Sequence, residues 1–144
     1  MAKISTWITG ARIRTLPLAL APIVLGSATA YSLDSFDLQL ALLALAVALL
    51  LQIGVNYAND YSDGVRGTDR NRVGPKRLTA SGMARPEAVK RAAVITFGLA
   101  MLAGLAIVVI TAQWWLIAVG LAAVVAAWYY TGGKSPYGYN GLGE

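Results

Sequence analysis

The strongest constraint in this sequence is where charge is missing. No Asp, Glu, Lys or Arg occurs between Arg14 and Asp34, none between Asp37 and Asp60, and none across residues 92–133. A helix that crosses a bilayer needs about 20 mostly apolar residues, because backbone groups in lipid have only each other to bond. The first two runs each suit one crossing. The third is about twice that length, and the break TAQWW at 111–115, polar and then aromatic, divides it as interfacial Trp residues do. The pattern therefore predicts an all-α, polytopic transmembrane helix bundle of four helices, near 16–32, 38–58, 89–111 and 114–131, in one domain without repeats or low-complexity tracts. Only 13% of the 144 residues are charged, about half of what a soluble surface requires, so the lipid bilayer is the main solvent.

The charges that do occur are sorted by side. Lys3, Arg12 and Arg14 precede the first span, Arg66 through Arg91 join the second and third, and Lys134 follows the fourth, whereas the link between the first two spans carries only Asp34 and Asp37. The positive-inside rule places both termini and the long basic loop in the cytoplasm, with the protein in the inner (plasma) membrane. The net charge of +5 is then topogenic, and nucleic acid is not an expected partner. Lys3, the first apolar run and ATA at 28–30 loosely imitate a secretory signal. Pro17 and Pro22 interrupt that run and basic residues extend to Arg14, which favours a retained span. Residues 6–18 mix Trp7, Ile8, Ile13 and Leu16 with Arg12 and Arg14, as either a helix start at headgroup level or an ordinary topogenic flank.

Cysteine and histidine are both absent, which removes disulfides, zinc centres, thiol nucleophiles and imidazole bases. Chemistry must rest on Asp, Glu, Lys, Arg, Tyr or an oxygen-bound metal, and such residues gather in NYANDYSDGVRGTD at 56–69, where the second span ends. If the helix continues, Asn56, Asp60 and Asp63 lie four and three apart and share one face. Two carboxylates one turn apart suit a hard divalent cation. Mg2+ is the natural choice, since it commonly takes one or two protein carboxylates and completes its shell with water and substrate phosphate. The plain alternative is a solvated helix terminus, but ionisable groups within a turn of hydrocarbon are costly and usually functional.

Arg66, Arg70, Arg72, Lys76 and Arg77 follow and are placed to close around an anion bridged to the aspartates, although a basic loop is also what topology alone demands. Asp69 either joins the metal cluster or pairs with a neighbouring arginine. Gly64, Gly67, Gly74 and Pro75 are expected to break the helix and fold the loop back as a lid. A second cluster stands in YYTGGKSPYGY at 129–139, where Tyr130 and Lys134, four apart, offer a hydroxyl and an ammonium to the same anion; an aromatic-belt residue and a snorkelling lysine are the alternative. GGKS is not a P-loop, because Trp128 occupies the position of the first required glycine. Gly98 and Gly104 are read as small residues for close helix packing.

Four stretches together, ARIRTLPLALAPIVLG, QIGVNYANDYSDGVRGTD, RVGPKRLTASG and YYTGGKSPYGYNGLGE, resemble the intramembrane prenyltransferases of the UbiA superfamily, and among them the menaquinone-pathway branch that acts on 1,4-dihydroxy-2-naphthoate. The resemblance covers essentially the whole chain. It implies an enzyme that binds the diphosphate of a polyprenyl diphosphate through Mg2+, with Asn56, Asp60 and Asp63 as the first aspartate motif. Tyr130 and Lys134 match the family's Tyr-x-x-x-Lys element at the diphosphate, and Arg72, Lys76 and Arg77 fall in the loop that supplies further diphosphate ligands. Gly67 stands where the commoner pattern has another carboxylate, leaving Asp69 as the substitute. The family's fold has about nine helices, so the four here are expected to be its first half, and these residues alone are expected to lack transfer activity.

The mechanism this implies is ionisation of the allylic carbon–oxygen bond as charge on the departing diphosphate is neutralised, followed by attack of the aromatic ring and loss of its carboxylate. Two alternatives stay open: another aromatic acceptor for the same chemistry, or a non-catalytic four-helix membrane protein whose aspartates merely end a helix.

Overall fold

The computed structural model of the protein describes residues 3–69 and 74–142. Its described residues form helices and turns, in the order α1 (Ile4–Ala11), a 3-10 turn (Ile13–Thr15), α2 (Leu16–Ser32), α3 (Leu38–Arg66), α4 (Pro86–Thr111), α5 (Trp115–Tyr129) and a last 3-10 turn (Tyr137–Asn140). The all-α membrane bundle expected from the charge-free runs is the architecture found. Ile4–Ser32, Leu38–Arg66 and Pro86–Thr111 are long and apolar enough to cross a bilayer, whereas α5, with 15 residues, falls short of the expected fourth span. Pro22 sits inside α2, which runs through it.

Local chemistry sets the ends. Asp37 caps α3 by accepting the Leu40 amide at 2.9 Å, satisfying one of the orphan donors of a helix start. At the other end α3 runs on past residue 58 to Arg66 and stops at Gly67, whose φ of 83° is the left-handed conformation glycine adopts without strain. Gly64 therefore does not break the helix as expected. A Cβ there would lie 2.5 Å from Thr79, so its missing side chain lets the following loop close against the helix. The TAQWW break becomes a tight turn through Ala112 in the left-handed region, closed by the Trp115 indole donating to Gln113 at 2.9 Å.

The principal packing is α3 on α4. A tight contact is at Gly54, where a Cβ would sit 2.6 Å from the ring of buried Phe97, while Gly98 and Gly104, the expected packing glycines, have no such neighbour within 3.4 Å. Gly54→Ala should accordingly cost about 1–3 kcal/mol by overpacking, read as a lowered midpoint in detergent unfolding followed by circular dichroism. Gly98→Ala should leave that midpoint unchanged.

Burial is concentrated at one end. The core cluster is Tyr57, Ala58, Leu78, Ala84, Val89, Ala93 and Phe97, at the acidic end of α3 and the start of α4, whereas α5 buries none of its residues. Apolar helix surfaces away from that end, such as Leu42, Leu102 and Val109, remain exposed to what surrounds the protein. In a bilayer that costs nothing, because lipid is as apolar as the side chains. The fold is knit together where the helices end in polar residues.

Candidate functional site

Ionisable side chains near the C-terminus of a helix meet the negative end of its dipole, so aspartates there need donors or cations close by. Asp60 and Asp63 lie in the last two turns of α3 and are 1% and 7% exposed. Both are served by the loop 77–79 folded back over Gly64. Asp60 accepts the backbone amides of Leu78 at 2.8 Å and Thr79 at 2.9 Å, one on each carboxylate oxygen. Asp63 takes Arg77 Nη2 at 3.4 Å, and Arg77 Nε lies 3.2 Å from Asp69. Asp69 thus pairs with a neighbouring arginine.

The Arg77 side chain is itself buried, and among the described residues its Nη1 has no hydrogen-bond partner. An unfilled donor on a buried guanidinium is uncommon and costly. The loop continues through Ser81, whose hydroxyl donates to the Arg77 carbonyl and holds the turn that aims the guanidinium inward. Lys76, one residue earlier, is exposed. Arg72, like Arg70, lies outside the described residues.

The segment after α5 covers the same end. Helix α5 ends at Tyr129, and Gly133 turns the chain at φ 77°, so Tyr130 and Lys134 do not stand one turn apart on a helix. Tyr130 is half-buried with its ring edge-on to Tyr137 at 5.5 Å, and Lys134 is exposed. Tyr139 reaches the site instead. Its hydroxyl donates to Asp63 Oδ1, its ring lies under the Arg66 guanidinium at 5.1 Å, and Arg66 Nη2 donates to the Gly133 carbonyl at 2.8 Å. Burial pushes the Tyr139 phenol above its ordinary value, and the bond to Asp63 adds to that rise. Thr131 donates to Asn59 at 2.8 Å, a further tie between the segment and α3. No spacing rule in the sequence connects residues 70 or more apart, and only the proximity of Tyr139 to Lys134 in the chain hinted at its place.

Asn56 is buried on the face it shares with Asp60, but its amide nitrogen turns to the N-terminal segment, donating to Ala11 O at 2.9 Å and to Thr15 Oγ1 at 3.0 Å. The aspartates and Asn56 are thus adjacent while each already has protein partners. Among the described residues, no three acidic side chains are grouped as a metal cage. The donor set nevertheless fits a hard cation in its chemistry: Asn56, Asp60, Asp63 and Asp69 carry side-chain oxygens, each carboxylate oxygen has a second lone pair, and the sequence has no imidazole or thiol ligand. A closed cage is not required of Mg2+, which leaves coordination positions to water and phosphate.

The model of the UbiA prenyltransferase family matches residues 19–143. The 1,4-dihydroxy-2-naphthoate octaprenyltransferase of Mycobacterium tuberculosis is 55% identical over 144 residues, covering 100% of this chain and 49% of the relative. The proteins of the same name from Escherichia coli and Bacillus subtilis are 43% and 33% identical, over 100% and 92% of this chain and 49% and 43% of their own lengths. The chain thus spans about half the length of the curated relatives it matches. No solved structure matches it. With the family's model laid over residues 19–143 and with sequence identity running along nearly the whole chain, this membrane protein belongs to the UbiA prenyltransferase family.

Proposed function

We propose that the protein serves the transfer of a polyprenyl group from polyprenyl diphosphate to 1,4-dihydroxy-2-naphthoate with loss of the carboxylate as carbon dioxide, a step of menaquinone biosynthesis. The names of the relatives support the donor and acceptor classes. The observation that carries the reading is the buried Arg77 guanidinium, whose Nη1 has no hydrogen-bond partner among the described residues, set beside aspartates at the end of a membrane-length helix. That donor suits a diphosphate oxygen, and the apolar faces of the helices suit the tail that the diphosphate carries.

In this reading Asp60, Asp63 and, through their side-chain oxygens, Asn56 and Asp69 hold a divalent cation, Mg2+ by its preference for oxygen and phosphate. When bound, it supplies charge neutralisation to the leaving diphosphate. Arg77 donates to the diphosphate beside these carboxylates, and Lys76, Arg72, Tyr130 and Lys134 contribute further positive charge and a hydroxyl. As the allylic carbon–oxygen bond breaks, the developing negative charge rests on these preplaced donors rather than on reorganising water. The membrane-buried helices keep water from the allylic cation until the naphthoate ring captures it. The basic loop faces the cytoplasm, where both substrates' polar ends reside.

A second reading draws on the two loop amides that occupy Asp60: the aspartates tie loops to the helix and do no chemistry. One assay separates the two. Membranes from cells expressing the full-length gene are given a polyprenyl diphosphate and carboxyl-labelled 1,4-dihydroxy-2-naphthoate. Labelled carbon dioxide and a prenylated quinol should form, chelation should abolish both, and added Mg2+ should restore them. Product that is indifferent to chelator, or that forms only with 4-hydroxybenzoate, would overturn the metal or the acceptor assignment respectively.

A further inference from the structure

We propose that Thr15 is a positioning residue for the acidic end of α3: its hydroxyl fixes the amide of Asn56 so that the side-chain oxygen, rather than the nitrogen, is presented on the face shared with Asp60. The inference rests on the reading that this end binds a cation–diphosphate pair.

Thr15 is a polar junction between the N-terminal segment and α3. Its Oγ1 donates to the Arg12 carbonyl at 2.9 Å and accepts from Asn56 Nδ2 at 3.0 Å and Gln52 Nε2 at 3.3 Å, so its one proton and both lone pairs are spoken for. The orientation of Asn56 follows from chemistry and not from fitting. Ala11 O, 2.9 Å away, is a carbonyl and only accepts, so the atom facing it must be the amide nitrogen. With both Nδ2 protons taken by Ala11 and Thr15, Oδ1 is held on the other side, and among the described residues no hydrogen bond uses it. An oxygen acceptor one turn before Asp60 is a ligand for a hard cation; an amide nitrogen in its place would repel one.

The segment that brings Thr15 there is built for close docking. Arg12 stands at φ 52°, a left-handed conformation unfavourable for a residue with a side chain, which breaks α1 from the following 3-10 turn and swings Thr15 onto α3. Such strain persists only where the surroundings over-determine it. Those surroundings are visible: the Tyr57 hydroxyl donates to Trp7 O at 2.8 Å, and a Cβ at Gly10 would meet Leu78 and Tyr57 within 2.9 Å. Leu78 is the residue whose amide serves Asp60. The N-terminal segment thus braces Asn56 through Thr15 and the Asp60 loop through Gly10.

The test is Mn2+ binding, read by the free-ion electron paramagnetic resonance signal, to the purified protein in lipid nanodiscs with inorganic pyrophosphate present. Thr15→Val, which keeps the shape and removes the hydroxyl, should raise the apparent Kd about tenfold, the scale expected when a group that orients a metal ligand is lost. Thr15→Ser should bind within about twofold of the unaltered protein, and Asp63→Asn should abolish uptake. Uptake unaffected by Thr15→Val overturns the positioning role, as does equal weakening by Val and Ser. Thr15→Ala stands in if Val is not accommodated; if neither folds while Ser does, the hydroxyl holds the fold and not Asn56, and the proposal falls. Uptake that Asp63→Asn leaves unchanged, or none at all in the unaltered protein, sinks the underlying reading of the acidic end instead.

Discussion

Asp60→Ala is expected to destabilise the protein by about 3–5 kcal/mol, a stability loss several times that of Asp63→Asn. The reason lies in what each carboxylate holds. Asp60 is 1% exposed and satisfies the amides of Leu78 and Thr79, at 2.8 and 2.9 Å. Hydrogen bonds to a charged acceptor contribute about 1.5–3 kcal/mol each, and a buried N–H left without a partner costs about 1–3. Removing the side chain strands two such donors at once beneath a loop that Gly64 allows to sit directly on the helix. Asp60→Asn should lose somewhat less, since one oxygen still accepts while its NH2 opposes the other amide. Asp63→Asn keeps an oxygen for the Tyr139 hydroxyl and loses chiefly a pair at 3.4 Å, with Asp69 still paired to Arg77, so about 1 kcal/mol is expected. Denaturant titration in detergent, followed by far-ultraviolet circular dichroism, measures all three. Equal losses from Asp60→Ala and Asp63→Asn would show that the loop is held by something other than the two amide bonds.

Arg77→Met should be comparably severe, about 3–5 kcal/mol, because taking away one partner of a buried pair leaves the other charge uncompensated. The Arg77 side chain is 6% exposed, and those of Asp63 and Asp69 are 10% and 4% exposed. Methionine approximates the length and volume of the aliphatic stem, so the loss reports on charge and hydrogen bonding more than on packing. The partner's share is separable. Combining Arg77→Met with Asp69→Asn should recover part of the deficit, a favourable coupling of about 1–3 kcal/mol in a double-mutant cycle. Strictly additive losses would mean that the ion pair with Asp69 does not carry the effect.

These two substitutions concern residues whose importance is readable from the sequence, but for reasons the sequence does not give. Asp60 and Asp63 stand out because charged groups beside a bilayer-length apolar run are expensive, and Arg77 because it belongs to the basic loop that follows them. Their partners are invisible by the same logic. Leu78 and Thr79 act through backbone amides, which carry no sequence signal, and Tyr139 comes from 76 residues away. The helix-spacing rule that links Tyr130 to Lys134 fails because α5 ends at Tyr129 and the chain then turns at Gly133. The same local rule works for Asn56 and Asp60 because α3 does continue past both. Gly64 misleads for a related reason: within a helix that tertiary contacts support, a glycine is tolerated, and here its missing side chain is needed by Thr79.

The sequence by itself determined the solvent and, through it, the architecture. Long runs without charge leave a backbone in lipid no structure but helices, and interspersed polar breaks set where they end. It also determined that any chemistry rests on oxygen and cationic nitrogen, since histidine and cysteine are absent. Only the tertiary structure decided how the acidic end is assembled: that loop amides take Asp60, that Arg77 stands between Asp63 and Asp69, that Tyr139 closes over Asp63, and that Thr15 turns Asn56. Apolar burial in a membrane is nearly indifferent to which helix meets which, so it specifies little beyond the presence of helices. Hydrogen bonds and buried charges are directional and costly to leave unmet, and they fix the partners that periodicity cannot name.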